Sequence, residues 1–397
     1  MPRHPSRHLE KLNPAKLRVL YSIVFLMAVA SALTAYVQSP YLSLYVKPGY
    51  LGLIFSFANI LVLIAVNKLP LILRRLGGWR VFCWLALGVI ATQMSLAWFP
   101  WRWPVIVSFI FFAIFLFLIW VVADIFIEEY SADRVTGRIR GFALTIMNLG
   151  WVVTPFLTGM LVDKFSYGFL FAVGALVLSP TLLIFSAAFR PSMTLTTIKL
   201  TPLLSLLKVV RGRLELKRIF TIAFYLHFFY SWMVIYLPLL LLSREISWPN
   251  IGLIFSVMLL PFVLFQYPAG RLADKYLNEK QILTFGFVVA GLATLAIYFI
   301  NTNNIFIWML VLFLTRVGAS LIEVMRDSYF FKKIDKRDAA LIGLFRSVQP
   351  AAYIISPIFA TLLLIKFSLP FIFLGLGFFM ITGIYFSLRL PNNKIKA

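Results

Sequence analysis

Residues 190–218 read RPSMTLTTIKLTPLLSLLKVVRGRLELKR, and this basic stretch divides the sequence into two similar halves. It contains seven lysines and arginines and a single acid, Glu215, so it is unsuited to hydrocarbon. Residues 1–189 and 219–397 consist mainly of apolar segments. Each segment is close to the roughly 20 residues that a helix needs to cross a bilayer. The sequence therefore predicts two membrane-embedded halves joined by a basic linker.

The composition predicts an all-α polytopic membrane protein. Of the 397 residues, 61% are hydrophobic and 13% are charged, and the mean hydropathy is +0.93. A soluble domain cannot hide that much apolar surface. The net charge of +23 is also typical of nucleic-acid binding, but here the basic residues lie in short loops between apolar spans. Such residues set membrane orientation and meet anionic lipid, so we expect membrane lipids and no nucleic acid as partners.

Neither a cofactor nor a metal is indicated, and the chain is not expected to be an enzyme. The three histidines, at positions 4, 8 and 227, do not have metal-ligand spacing. No Walker loop is present, so ATP is not the expected energy source. Cys83 is the only cysteine, which excludes an intramolecular disulfide. The basic N-terminus resembles a secretory signal, but its apolar run continues to Val46 and predicts an uncleaved first membrane helix.

Apolar runs and turn residues predict twelve transmembrane helices in two pseudo-symmetric six-helix bundles. The predicted helices are 19–46, 49–70, 81–99, 104–128, 141–165, 168–189, 218–243, 249–269, 280–300, 304–330, 338–365 and 368–388. They define a basic tail (1–18), an N-terminal bundle (19–189), a linker (190–217), a C-terminal bundle (218–388) and a second tail (389–397).

Basic residues are distributed unequally between the two sides of these predicted helices. The tails, the linker and the loops on their side hold 29 lysines and arginines. The opposite loops hold five, at Lys47, Arg102, Lys164, Arg244 and Lys366. Positive charge stays on the cytoplasmic side, so both termini and the linker are predicted to be cytoplasmic. The expected location is the inner or plasma membrane of the cell.

The two halves repeat each other in sequence. Residues 51–56 (LGLIFS) recur 200 positions later as residues 251–256 (IGLIFS). Thr154-Pro155 recurs 202 positions later as Ser356-Pro357. Two repeats of six helices that start on the same side are related by an axis along the membrane normal.

This parallel repeat resembles the major facilitator superfamily across nearly the whole chain. The signature loop of that family, Gly-x-x-x-Asp-(Arg/Lys) between helices 8 and 9, is present as residues 270–275, with Gly270, Asp274 and Lys275. In the first half, Pro70 and Arg74 replace the Gly and the Asp, so the resemblance implies a gate without a carboxylate there. It also implies secondary transport of a small solute by alternating access about a midplane site.

Helix 5 is similar to the antiporter-associated pattern of the family. Four positions fit it: Gly141, Gly150, Pro155 and Gly159. Threonines stand at 154 and 158, where glycine is usual. The pattern favours export, and ordinary packing of small residues explains it equally well.

Charged residues inside predicted membrane helices mark candidate functional positions, because charge in hydrocarbon is costly. Helix 10 carries Arg316, Ser320 and Glu323 on one face, which predicts a substrate or coupling-ion site, with a structural ion pair as the alternative. The candidate cytoplasmic gate consists of Gly270, Asp274, Lys275, Asp124, Arg326, Asp327 and Arg346. Solvated helix ends are the alternative for the charged members of this set.

Helices 7 and 1 add four candidates for binding the solute or its coupling ion. On helix 7 these are His227 and Tyr230, and on helix 1 they are Gln38 and Thr34. A histidine is suited to bind or relay protons, and a buried histidine satisfied by a neighbouring hydroxyl is the alternative. Helix 1 contains no acid, which leaves the coupling ion open.

The sequence therefore predicts a monomeric secondary active transporter that exports a small organic or amphipathic compound, with protons as the coupling ion. One alternative is a symporter or uniporter that takes up a sugar or an organic anion. A second, from another class, is a membrane-embedded lipid-handling protein or enzyme.

Overall fold

The computed structural model describes residues 14–130, 136–189, 203–275, 278–334 and 339–391. All regular structure in these described residues is α-helical. Twelve segments are long and apolar enough to cross a membrane, and we number them spans 1–12 in chain order. Spans 1–6 form the N-terminal half and spans 7–12 the C-terminal half. The side on which span 1 begins and span 12 ends is called the termini side.

Eighteen helices form these spans and the linker between the halves. In the N-terminal half they are α1 (Pro14–Ala35) and α2 (Gln38–Ser43) of span 1, α3 (Pro48–Leu76) of span 2, α4 (Gly78–Trp98) of span 3, α5 (Arg102–Glu129) of span 4, α6 (Thr136–Lys164) of span 5, and α7 (Tyr167–Leu178) and α8 (Pro180–Ala188) of span 6. The linker contains α9 (Leu203–Gly212). The C-terminal half has α10 (Leu214–Ile235) and α11 (Leu237–Ser243) of span 7, α12 (Trp248–Leu264) and α13 (Gln266–Lys275) of span 8, α14 (Glu279–Phe299) of span 9, α15 (Ile305–Lys333) of span 10, α16 (Ala339–Arg346) and α17 (Val348–Lys366) of span 11, and α18 (Leu369–Leu388) of span 12.

Spans 1 and 7 are broken helices, whereas the sequence predicted continuous ones. The break in span 1 lies at Tyr36, four residues before Pro40, and the break in span 7 lies at Tyr236, two residues before Pro238. A proline has no N–H for the carbonyl four residues earlier, so the regular helix is interrupted. The two breaks are 200 positions apart, which extends the sequence repeat to the backbone geometry.

The two predicted signature loops are helical. Pro70 and Arg74 lie inside α3, and the chain turns only at Gly77, whose φ of 80° favours glycine. Residues 270–275 form the last turns of α13. A helix can continue past the hydrocarbon into the charged flank, so the end of an apolar run is not the end of a helix. A β-carbon on Gly270 would meet no atom within 4 Å, so close backbone approach does not explain the glycine at this position.

The pairs of spans that pack together inside the N-terminal half have equivalents that pack together inside the C-terminal half. In the N-terminal half, span 1 packs on spans 5 and 6, span 3 on spans 4 and 6, and span 2 on span 4. In the C-terminal half, span 7 packs on spans 11 and 12, span 9 on spans 10 and 12, and span 8 on span 10. Between the halves, span 2 packs on span 11 and span 5 on span 8. Spans 1 and 7 are the most deeply buried spans of the described structure, and their second helices, α2 and α11, pack against each other.

The residues that carry the sequence repeat form the contact between the halves. Gly52 of span 2 faces the carbonyl oxygen of Pro357 in span 11, and Gly252 of span 8 faces the carbonyl oxygen of Pro155 in span 5. In both places a β-carbon would clash with that oxygen, so glycine is what permits the approach. Both contacts lie in the half of the spans opposite the termini side.

A serine one turn further along each repeat adds a hydrogen bond across the same interface. The Ser56 hydroxyl donates to the carbonyl oxygen of Ile354 at 2.7 Å, and the Phe156 N–H donates to the Ser256 hydroxyl at 3.0 Å. The two halves are therefore joined by a symmetric pair of backbone contacts on the side opposite the termini.

Candidate functional site

Arg316 is a fully buried cation near the middle of α15. Its side chain is 1% exposed, and its guanidinium lies 5.2 Å from the ring centroid of Phe229 and 5.4 Å from that of Tyr230, both in span 7. The Nε and Nη1 atoms are buried without a hydrogen-bond partner. None of the ion pairs formed among the described residues includes Arg316. Such a cation is costly to bury unless a ligand supplies the missing acceptors.

Two tyrosines from other spans complete the surroundings of Arg316. The Tyr36 hydroxyl, at the break of span 1, is within hydrogen-bonding reach of the guanidinium, and Tyr353 of span 11 is close enough to interact with it electrostatically. The Tyr36 ring packs at 4.4 Å from the ring of Phe255 in span 8. Spans 1, 7, 10 and 11 therefore meet at one arginine between the halves. Sequence analysis missed Tyr36, although Tyr236 stands 200 positions later in the repeat.

Glu323 is linked to Arg316 through a tyrosine. The Tyr230 hydroxyl donates to Glu323 Oε2 at 2.7 Å, and the same tyrosine ring lies against the Arg316 guanidinium. Glu323 is half-buried and forms no direct ion pair with Arg316 within the described structure. Arg316 and Glu323, which were predicted on one face of helix 10, thus belong to one network, and the Tyr230 side chain contacts both of them.

Arg326 extends this network toward the termini side. Its Nε donates to Asp327 Oδ1 at 2.8 Å, and its Nη1 lies 3.2 Å from His227 Nε2. The Arg326 side chain is 6% exposed, and its guanidinium lies 5.3 Å from the ring of Phe345. Arg326 and Asp327, which the sequence assigned to a cytoplasmic gate, pair with each other here, and Arg326 also contacts span 7.

Among the described residues, two side-chain contacts join the halves on the termini side. Arg346 Nη1 of span 11 lies 2.8 Å from Asp124 Oδ2 of span 4. The Asn148 amide of span 5 donates to Gln266 Oε1 of span 8 at 3.2 Å. These polar pairs stand at the opposite end of the interface from the glycine contacts of Gly52 and Gly252.

Three residues that the sequence predicted for the site form no contact with Arg316 or Glu323 among the described side-chain contacts. The Ser320 hydroxyl is fully buried and donates to the Val317 carbonyl of its own helix at 2.9 Å. Thr34 bonds to the Ser31 carbonyl at 3.3 Å and packs against Gly174 of span 6, inside its own half. Gln38 is half-buried at the start of α2, and the structure shows no hydrogen bond that would assign it a role.

The small residues of helix 5 serve helix packing. Gly150 lies against Ala28 of span 1, and Gly159 lies against the backbone of Gly252, where a β-carbon on Gly159 would come within 3.1 Å of the Gly252 Cα. The Thr158 hydroxyl donates to the Leu33 carbonyl of span 1 at 3.1 Å. Thr158, which stands where the antiporter-associated pattern has glycine, therefore forms a hydrogen bond between spans 5 and 1.

Some predicted positions fall outside the described part of the structure. These are residues 1–13 of the first tail, 190–202 of the linker and 392–397 of the second tail. Gly141, Asp274 and Lys275 lie in α6 and α13, but their surroundings are likewise not described. Within the described residues, no group of three or more His, Cys, Asp and Glu side chains is arranged to hold a metal ion.

The arrangement combines a buried anion-binding group with a carboxyl that can exchange a proton. Arg316 offers unpaired N–H donors, lies against the rings of Phe229 and Tyr230, and has the Tyr36 hydroxyl within reach. Glu323 lies about two helical turns away, roughly 10 Å along the axis. A buried arginine beside aromatic rings suits a small solute that carries both an anionic and an apolar part.

Comparison with known proteins agrees with this architecture. Residues 219–397 match the family model described as Major Facilitator Superfamily. The crystal structure of a POT family transporter in complex with 5-aminolevulinic acid has a similar fold. It gives a TM-score of 0.78 over 93% of this chain and 94% of that chain, at 14% sequence identity. No curated protein sequence matches the chain.

Twelve helical spans in two packed halves make this a multi-pass membrane protein, and its fold is that of the solved transporter. In sequence, the match to the Major Facilitator Superfamily covers residues 219–397, somewhat less than half of the chain. Members of this class are secondary transporters, which bind a solute at the interface of two repeats and expose it alternately to either side.

Proposed function

We propose that the chain is a proton-coupled transporter of a small amphipathic organic anion. The observation that supports this substrate class is Arg316, a fully buried arginine whose Nε and Nη1 donors have no partner. A carboxylate or phosphate oxygen pairs with two such parallel donors better than any neutral group does. The aromatic rings around the guanidinium accommodate the apolar part of the solute.

Glu323 is the proposed proton carrier. It is the half-buried carboxyl of the central network, bonded to Tyr230 and separated from Arg316 by that tyrosine. A carboxyl that is neutral on one side of the membrane and charged on the other couples solute movement to proton movement. Glu323 and Arg316 share contacts with Tyr230, so gain or loss of a proton at Glu323 changes the electrostatic surroundings of the guanidinium that binds the anion.

Export is the proposed direction, on the support of the partial helix 5 pattern at Gly150, Pro155 and Gly159. The charge asymmetry of the loops supports cytoplasmic termini and a location in the inner or plasma membrane of the cell, with anionic lipids on the termini side. We propose that the monomer is the working unit, since each chain contains both halves and the complete central site.

A thermal-shift screen of the purified protein tests the substrate class. Benzoate, butyrate and phenylphosphonate serve as anionic probes, with benzyl alcohol as the neutral counterpart. We expect anions to raise the melting temperature and the neutral compound to leave it unchanged. Arg316→Gln should abolish the shift, whereas Arg102→Gln, at an exposed arginine, should retain it. Stabilisation by neutral or cationic compounds alone, or an undiminished anion effect in Arg316→Gln, contradicts the proposal.

Flux measurements in proteoliposomes then test coupling and direction. An imposed pH gradient should drive accumulation of the stabilising anion in liposomes that contain the wild-type protein. Equal flux with and without the gradient would exclude proton coupling. In intact cells, lower accumulation of the probe on expression supports export, and higher accumulation supports uptake.

A further inference from the structure

His227 and Arg326 form a contact whose hydrogen-bond direction can be assigned. The Arg326 Nη1 atom lies 3.2 Å from His227 Nε2. A guanidinium has only donors, so the imidazole nitrogen must accept and therefore carries no proton. The single proton of a neutral imidazole then sits on Nδ1.

The other ring nitrogen is an unused donor. His227 Nδ1 is buried and has no hydrogen-bond partner. Leaving a buried donor unpaired costs free energy, so this N–H, like the two unpaired atoms of Arg316, is suited to an acceptor that a bound molecule brings. The interior thus presents unpaired donors from two residues of the C-terminal half.

The charged groups around the imidazole belong mainly to span 10. Arg326 is in contact with the ring, and Asp327 and Glu323 belong to the same network. From span 7 itself, the ring centroid of Tyr230 lies 6.1 Å from that of His227. Span 12 carries no charged side chain, and Arg346 of span 11 pairs with Asp124. A second proton on His227 would need Nε2 and would place two cations 3.2 Å apart.

We propose that Arg326 is a positioning residue that fixes His227 as a neutral imidazole with its proton on Nδ1, and that this N–H donates to the transported solute. His227 lies one helical turn from Tyr230, and the Tyr230 ring contacts Arg316. The proposed substrates are therefore anions that carry a hydroxyl or carbonyl as a second acceptor. The solute part of this inference rests on the proposed function, whereas the state of His227 does not.

Nitrogen-15 NMR of the full-length protein in lipid nanodiscs tests the state of His227 directly. With His4 and His8 of the N-terminal tail replaced by Ala, His227 is the only histidine. We expect one protonated nitrogen, Nδ1, and no titration between about pH 5 and pH 8. In Arg326→Gln the ring should titrate or populate both tautomers, and in the matched variant Arg346→Gln it should not. A proton on Nε2, or a cationic ring in this pH range, overturns the proposal.

The donor role is tested in the same sample with two benzoates. Saturating 3-hydroxybenzoate, which has a second acceptor, should shift the Nδ1–H resonance, and benzoate should not. The wild type should also bind 3-hydroxybenzoate about tenfold more tightly than benzoate, as expected for one added hydrogen bond. His227→Gln, whose carbonyl can still accept from Arg326, should lose this preference, and His227→Asn, which keeps a donor near Nδ1, should retain part of it.

The outcomes separate the two proposals. If anions bind through Arg316 but leave the Nδ1–H resonance unmoved, the donor role is excluded while the proposed function stands. If no anion binds, the proposed function fails, and the tautomer assignment is still decided by the spectrum of the ligand-free protein.

Discussion

Arg346 of span 11 and Asp124 of span 4 form an ion pair of 2.8 Å that joins the two halves on the termini side. A second polar contact across that side, among the residues that the structure describes, is between Asn148 and Gln266. The opposite side is held by close backbone packing at Gly52 and Gly252, together with the hydrogen bonds of Ser56 and Ser256. One end of the interface therefore depends on side chains that can separate, and the other on close glycine contacts.

Asp124→Asn should shift the protein toward states that are open on the termini side. The pair is partly exposed, with 45% of the Asp124 and 33% of the Arg346 side chain accessible, so its loss should change the free energy of unfolding by only about 0–1 kcal/mol. Opening is measured as faster alkylation of a cysteine placed at Phe224, one turn from His227, in a Cys83→Ser background. The charge-swapped variant Asp124→Arg with Arg346→Asp should restore the slow rate. Identical rates in the single and swapped variants would exclude the pair as a gate.

Gly252→Ala should destabilise the contact on the opposite side. The added methyl would clash with the Pro155 carbonyl oxygen and come within 3.1 Å of the Gly159 Cα, both of which are backbone atoms. Overpacking of this kind costs about 1–3 kcal/mol and should lower the melting temperature. Gly49→Ala is the matched control, because a β-carbon there meets no atom within 4 Å. Equal melting temperatures for the two variants would contradict the assigned interface.

Glu323→Gln should uncouple transport from the pH gradient without preventing solute exchange. The glutamine amide oxygen can still accept from the Tyr230 hydroxyl, so the local structure should be kept while the proton site is lost. The expected result is gradient-driven flux reduced to the level seen without a gradient, with counterflow of the same probe retained. Glu245→Gln, at an exposed carboxyl on the opposite side, should behave as the wild type. Gradient-driven flux that survives in Glu323→Gln would remove this residue from the coupling mechanism.

Much of the fold was predictable because hydrocarbon imposes length and composition on each span. The twelve spans follow from apolar runs, and the pairing of the halves was already present in the repeats around Gly52 and Pro155. The helix breaks were missed because apolar periodicity does not change at Tyr36 or Tyr236; Pro40 and Pro238 were the available signals.

The central site was only partly predictable from the sequence. The spacing of Arg316 and Glu323 placed them on one face, but a single helix does not reveal that Tyr230 of another span stands between them. The sequence favoured Thr34 on span 1 because its side chain is polar, but Thr34 bonds to its own helix. The broken helix places Tyr36 beside Arg316 instead. Contacts between distant spans depend on helix rotation, which one sequence does not fix for a polar residue.

Distance measurements between the halves test alternating access most directly. Spin labels at Leu76 and Leu272 report on the termini side, and labels at Trp101 and Phe299 report on the opposite side, all at exposed positions in a Cys83→Ser background. On changing pH or adding a stabilising anion, the account predicts that one distance lengthens while the other shortens. If each pair of labels gives one distance that stays unchanged under every condition, in protein shown to transport the anion, alternating access is contradicted.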